Sequence, residues 1–361
     1  MDTVLLTLLT LAVGTAVGLI FFRIKIPGGL IVGSIIGTAI LGLGFEAAYI
    51  PNFARTVAQI VAGAFIGSSV GPNDLRRLPT ILKPYLILIA GYLVLDMVVG
   101  FAFIAVSPMD PMTCFMSGVA GGMTDIPVIA ADMGADVPKV AVLQFVRMAA
   151  GLGVFPLMIT KAVGLTSKAP VKAAAGSGAP GAPAAPKPKK PADPAKSPQV
   201  ILMTMAVACV FGFFGKWTGI PAGAILFSTV SSLVFKLTVG KGYIPRWLKR
   251  VAQVLTGCYI GCYFGRDEIM ELRFLILPAI ILLVAYFANC FLMGWLIPKF
   301  THLNRAEAML IATPAGASDM ALIASDLGVD NPDVSFIQIM RMITVVTVFP
   351  HIINLVVHLI T

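Results

Sequence analysis

Two polar tracts interrupt otherwise apolar sequence, GGMTDIPVIAADMGAD over 121–136 and AGASDMALIASDLGVD over 315–330. Each sets a glycine, a hydroxyl and a carboxylate close together: Gly122, Thr124 and Asp125 in the first, Gly316, Ser318 and Asp319 in the second. A break of this kind frees backbone groups from helical pairing. Freed amides at a positive helix end attract an anion, while carboxylate, hydroxyl and carbonyl oxygens suit a cation such as Na⁺. The structural alternative is an N-cap, with the hydroxyl or carboxylate accepting from the next helix's amides. Asp132 and Asp326 follow seven residues on, two helical turns along the same face. Asp136-x-Pro138 and Asp330-x-Pro332 read as the end of each tract and the cap of the next helix.

Arg147 and Arg341 sit about two turns inside the apolar helices that follow, with Gln144 and Gln338 three residues before them. An arginine at that depth is expensive in hydrocarbon and is expected to face the bundle interior with a partner. Asp125, Asp132 and their counterparts are the candidate partners, as an ion pair, a clamp for a substrate carboxylate, or both. Asp96, central in YLVLDMVVG, is a candidate proton or cation site, with a hydrogen bond to a neighbouring helix as the alternative. No metal ligands are expected. The histidines are His302, His351 and His358, near helix ends, and the five cysteines lack metal-ligand spacing.

These residues need elements that hold them in an apolar solvent. The chain is 58% hydrophobic and 12% charged, far from soluble balance. Runs such as Val4–Phe22, Ile81–Val106 and Phe274–Ile297 are long enough to cross a bilayer. The net charge of +9 does not indicate nucleic acid, because the lysines concentrate in one tract and most other basic residues flank apolar runs. The start, MDTVLL, lacks a basic region, so the first helix is expected to be retained.

The chain is also a duplication. Adding 194 to a position between Ile26 and Ile159 lands on its counterpart without gaps. Ile26-Pro27 maps to Ile220-Pro221, Val57-Ala58-Gln59 to Val251-Ala252-Gln253, and Arg147-Met148 to Arg341-Met342. Gly63, Gly67 and Gly71 map to Gly257, Gly261 and Gly265, a small-residue ridge suited to close helix packing. Residues 1–164 form the first membrane repeat and 200–361 the second. Between them, 165–199 is rich in Ala, Pro and Lys and reads as a disordered cytoplasmic tether.

The fold expected is an all-α integral membrane protein of two inverted repeats, each with five crossings and a glycine-interrupted re-entrant hairpin. Pro111–Gly122 and Thr124–Gly134, about a dozen residues each, are each about half a membrane long as helices. Basic residues mark the first and third connections of copy one but the second and fourth of copy two. That shift is what five crossings per copy require. Ten crossings place both termini outside; twelve is the alternative.

The two tracts with their following QFVRM and QIMRM, together with the duplication, resemble the AbrB duplication family of bacterial membrane proteins. Its members carry labels as an ammonia monooxygenase, a regulator or a transporter. Asp125 and Asp319 stand where that family commonly has Glu, and Gly121 replaces a proline in copy one. The resemblance implies a bacterial inner membrane. The function expected is a non-enzymatic secondary transporter of a small, anionic organic solute. No cofactor is expected beyond H⁺ or Na⁺ as coupling ion, and matched broken helices suit such a role. A membrane sensor that binds without transporting is the alternative. The partners expected are a small-molecule substrate, the lipid bilayer and a second copy of the chain, with no nucleic acid.

Overall fold

The computed structural model describes residues 3–24, 26, 28–45, 47–75, 77–163, 197–315, 329 and 331–361, and among them every regular element is helical. Copy one runs α1 (Thr3–Arg23), α2 (Gly29–Phe45), α3 (Asn52–Gly67), a single turn α4 (Pro72–Leu75), α5 (Leu78–Val106), α6 (Pro111–Gly118), α7 (Ile126–Asp132) and α8 (Val137–Val163). Copy two runs α9 (Pro198–Trp217), α10 (Gly223–Val239), α11 (Arg246–Gly261), α12 (Arg266–Glu271), α13 (Ile276–Phe300), α14 (Arg305–Ile311), α15 (Pro332–Thr347) and α16 (Phe349–Ile360). Six helical stretches are long and apolar enough to cross a membrane; α2 and α10 are shorter apolar helices. Leu8, Leu202, Trp217 and Leu277 project from these stretches unburied, an outward apolar surface that only lipid would solvate.

Local chemistry sets the helix starts. Asp110 caps α6 by accepting from the Thr113 amide at 2.9 Å, and Ser197 caps α9 from Val200. Asn304 and Glu307 form a reciprocal capping box on α14. Proline stands in the first turn of α5, α6, α9 and α15, where its missing N–H costs nothing. Helix α9 begins at Pro198, so the tether expected to run to 199 ends slightly earlier; 164–196 lies outside the described residues.

The helices sort into two bundles. A scaffold bundle joins α1, α2 and α3 to α9, α10 and α11; a core bundle joins α5–α8 to α13–α16. Within each, the copies exchange partners. Gly63 and Gly67 of α3 press on Ser228 and Thr229 of α10, while Gly257 and Gly261 of α11 press on Ser34, Ile35 and Thr38 of α2. The ridge is therefore a packing surface, except for its third member. Gly71 instead donates its amide to Asp74 at 2.7 Å at the start of α4.

A Cβ on Gly261 would lie 2.7 Å from the Ile35 carbonyl oxygen, backbone that cannot turn aside. Gly261→Ala is therefore expected to cost about 1–3 kcal/mol of stability. Gly44, with nothing within 4 Å, provides the control: Gly44→Ala is expected to be neutral or to gain up to about 1 kcal/mol from helix propensity. Thermal midpoints of the two variants falling by the same amount would refute the close packing.

The interrupted segments are shorter as helices than expected. Helices α6 and α7 have 8 and 7 residues, because 119–122 runs out of the helix before the chain turns. Past α7 the chain comes back beside its own start. The Asp136 amide donates to Thr113 Oγ1 at 2.7 Å, and in copy two Asn331 Nδ2 donates to Glu307 Oε1 at 2.8 Å. Pro156 lies within an unbroken α8, whereas a break at Val348 beside Pro350 separates α15 from α16.

Candidate functional site

The deep arginines do not pair with Asp125 or Asp132. Arg147 donates to the Gly121 carbonyl at 2.6 Å. Arg341 donates to the carbonyls of Thr313 and Ala315, at 2.8 and 2.9 Å, and to Tyr92 Oη at 3.0 Å. Gln144 Nε2 donates to the Met116, Ser117 and Val119 carbonyls, and Gln338 Nε2 to those of Leu310 and Ile311. The physical reason is the break itself. Carbonyls at the end of a short helix have lost their i+4 donors, and in an apolar bundle a guanidinium or amide must supply them. These four side chains supply donors that the missing helical turn would have given, which corrects the expected pairing with Asp125 and Asp132; Asp319 and Asp326, the other expected partners, lie outside the described residues.

Two tyrosines tie the copies together, and sequence reading missed both. Tyr92 of α5 donates to the Ala312 carbonyl in copy two at 2.7 Å; Tyr286 of α13 donates to the Gly118 carbonyl in copy one at the same distance. Arg341 lies 5.3 Å from the Tyr92 ring centroid, and Arg147 5.9 Å from that of Tyr286. Positions 92 and 286 obey the 194-residue offset, as do Pro84 and Pro278 and Gly100 and Gly294 in the same helices, and that was the available signal. Gly121 packs against Val345 of α15, and Gly151 of α8 against the Pro314 carbonyl, so both interruptions lie at the centre of the core bundle.

Asp132 links the bundles. Its carboxylate takes Arg55 Nη2 at 2.6 Å and Gln59 Nε2 at 2.5 Å, both from α3 in the scaffold, and Lys216 stands at 4.0 Å. Arg55 also donates to Tyr259 Oη of α11 at 3.0 Å and lies over that ring at 5.4 Å. In the mirrored arrangement Lys249 of α11 lies 4.3 Å over the Phe65 ring of α3. Lys249 stands in the first turn of α11, half-buried.

Asp125 is buried at 7% exposure yet makes no cap to α7. Thr124 Oγ1 donates to it at 2.9 Å, and among the described residues it has no ion pair. It lines a small crevice between the two bundles. Thr124, Asp125 and Met342 supply the core wall; Ala62, Phe65 and Ile66 of α3 and Lys249, Ala252, Gln253 and Thr256 of α11 supply the scaffold wall. Asp96 lies apart from this crevice in the core bundle, beside Gly118, with neither carboxylate oxygen hydrogen-bonded among the described residues. Its mirror, Cys290, contacts the Met309 carbonyl. Gly316, Ser318, Asp319 and Asp326 lie outside the described residues.

Six long apolar helices, two copies of one unit and interrupted segments meeting in a core bundle define an all-α multi-pass membrane protein. The particular family follows from its sequence profile. The profile described as "Transition state regulatory protein AbrB" matches residues 1–163 and again 162–357, and the chain belongs to that AbrB family. It is similar to "Putative regulator AbrB" of Escherichia coli strain K12, at 24% identity across 91% of this chain and 90% of that one. It is also similar to "Uncharacterized protein YhjN" of Bacillus subtilis strain 168, at 22% identity across 84% of this chain and 78% of the relative.

Proposed function

We propose that this protein is a secondary active transporter of a small organic solute bearing negative charge, driven by H⁺ or Na⁺, in which the core bundle moves against the scaffold. The observation that carries this is the crevice between the bundles, with Asp125 on one wall and the polar face of α11 on the other. A site shared by two bodies alternates its access when one moves past the other. The contacts Asp136–Thr113 and Asn331–Glu307 bring each interrupted segment back to its starting end, which supports re-entrant hairpins and ten crossings. An odd number of crossings per copy makes the repeats inverted, with the tether in the cytoplasm and both termini outside a bacterial inner membrane. Asp96, charged when ionised and without a partner among the described residues, is the candidate for the coupling proton. Asp125 is the candidate for Na⁺.

A second reading, a membrane sensor that binds without turnover, is favoured by the word regulatory in the family description and regulator in one relative's name. Counterflow in proteoliposomes separates the two, since a carrier exchanges labelled solute and a sensor does not. Asp125→Asn is expected to reduce exchange at least tenfold, about 1.4 kcal/mol of lost binding. Its thermal midpoint should hold, because among the described residues the side chain accepts one local hydrogen bond. Full exchange by the variant would remove Asp125 from the site.

A further inference from the structure

We infer that the scaffold bundle binds an anionic phospholipid, its phosphate held by Arg23, Arg246 and Arg250 where α1 ends and α11 begins. The site is separate from the crevice and stands whether or not the protein transports. Packing fixes where the two helices meet. Cys258 Sγ of α11 contacts the Thr10 carbonyl of α1 at 3.8 Å, and about two turns earlier in α11 Arg250 lies 5.0 Å from the Phe22 ring centroid. The helices therefore run antiparallel, which brings the last turn of α1 beside the first turn of α11. Arg23 follows Phe22, and Arg246 precedes Arg250 by one turn on the same helix face. All three arginines are exposed, and among the described residues none has an ion pair or a side-chain hydrogen bond. Like charges gathered without an acid repel one another, and an anion between them offsets the repulsion. Guanidiniums present forked donors that match phosphate oxygens.

The surroundings select a lipid over a soluble phosphate. Ile24 and Trp247 stand exposed directly beside the arginines in sequence, so charge and apolar surface share one patch. A phosphate carrying acyl chains covers both, whereas a free phosphate covers the charge alone. The duplication supplies an internal comparison. At the 194-residue offset Arg23, Arg246, Trp247 and Arg250 become Trp217, Asn52, Phe53 and Thr56. That end keeps exposed aromatic rings, with Phe53 stacked on Phe213 at 6.0 Å, but none of the three arginines. Its basic residues Arg55 and Lys216 stand 2.6 and 4.0 Å from Asp132. Aromatic rings suit the headgroup level of either leaflet, while added arginines suit only a leaflet rich in anionic lipid.

The test is thermal unfolding of the full-length protein in mixed micelles titrated with dioleoyl phosphatidylglycerol or dioleoyl phosphatidylcholine. Phosphatidylglycerol is expected to raise the midpoint at a mole fraction at least fivefold below that of phosphatidylcholine. In the double variant Arg246→Gln with Arg250→Gln that preference should disappear, while the midpoint in phosphatidylcholine holds. Lys83→Gln with Lys299→Gln removes the same charge elsewhere on the protein and should keep the preference. If the first double variant unfolds early in phosphatidylcholine, Arg246→Gln alone carries the test, with at least a twofold loss of preference expected from this exposed side chain. An equal response to the two lipids, or a preference that survives loss of the arginines, would overturn the inference. So would an equal loss in both double variants, which marks diffuse surface charge, or a matching shift from glycerol 1-phosphate, which marks a site for soluble anions.

Discussion

Arg341→Ala is expected to destabilise the protein by about 3 kcal/mol, and Arg147→Ala by about half of that. Arg341 satisfies two carbonyls at the second interruption and the Tyr92 hydroxyl, whereas Arg147 makes one backbone hydrogen bond. Removing either leaves carbonyls that no helical turn can pair, in a bundle that excludes water. Arg341→Lys should not restore stability, since a single ammonium cannot reach acceptors spaced for a planar fork. Thermal unfolding in the same lipid reads the order directly. Equal losses, or rescue by lysine, would mean that the guanidinium acts only as a charge.

The second large effect concerns the clasp between the bundles. Asp132→Ala strands Arg55, 11% exposed, together with Gln59, and is expected to cost about 3 kcal/mol. The double change Asp132→Leu with Arg55→Met removes both charges and fills their space, so stability should return to within about 1 kcal/mol of the original. Lys216, 46% exposed at 4.0 Å, is too solvated to substitute for Arg55. Losses that simply add in the double variant would show that the two side chains do not depend on one another. In the transporter reading the same bond must open when the core moves, so Asp132→Ala should also change the rate of exchange.

Charged contacts farther out are a contrast in magnitude. Arg77 pairs with Asp333 at 3.3 Å and Glu271 with Lys139 at 2.6 Å, and both pairs obey the 194-residue offset with the signs exchanged. Arg77 and Glu271 are about half exposed, so each bridge contributes little, on the order of 0–1 kcal/mol. Their value is geometric: they join the start of one copy's long helix to the start of the other copy's last helix.

Much of the fold was legible because its causes are local. A run of twenty apolar residues has no soluble alternative, and Pro111, Gly118 and Asp110 act on their own backbone. The duplication was legible because identity at a constant offset needs no structure to be seen. Gly122, Thr124 and Asp125 were placed at an interruption for the same reason. The cap reading of Asp125 failed because its side chain turns to the Thr124 hydroxyl rather than to the amides of α7.

The sequence by itself determined that this is a duplicated helical membrane protein with a break in each copy, because chain-local hydropathy, proline and glycine chemistry and internal identity suffice for that. Only the tertiary structure decided who meets whom. The offset that pairs Tyr92 with Tyr286, or Arg55 with Lys249, is equally compatible with contacts inside a copy and with contacts exchanged between copies. The choice was made by packing. Glycine ridges let α3 and α11 close on the other copy's helix, and that exchange placed α11 opposite the break at Thr124 and Asp125. The guanidiniums went to backbone carbonyls because a broken helix inside an apolar bundle has no other donor for them, a demand that arises only once the helices are packed.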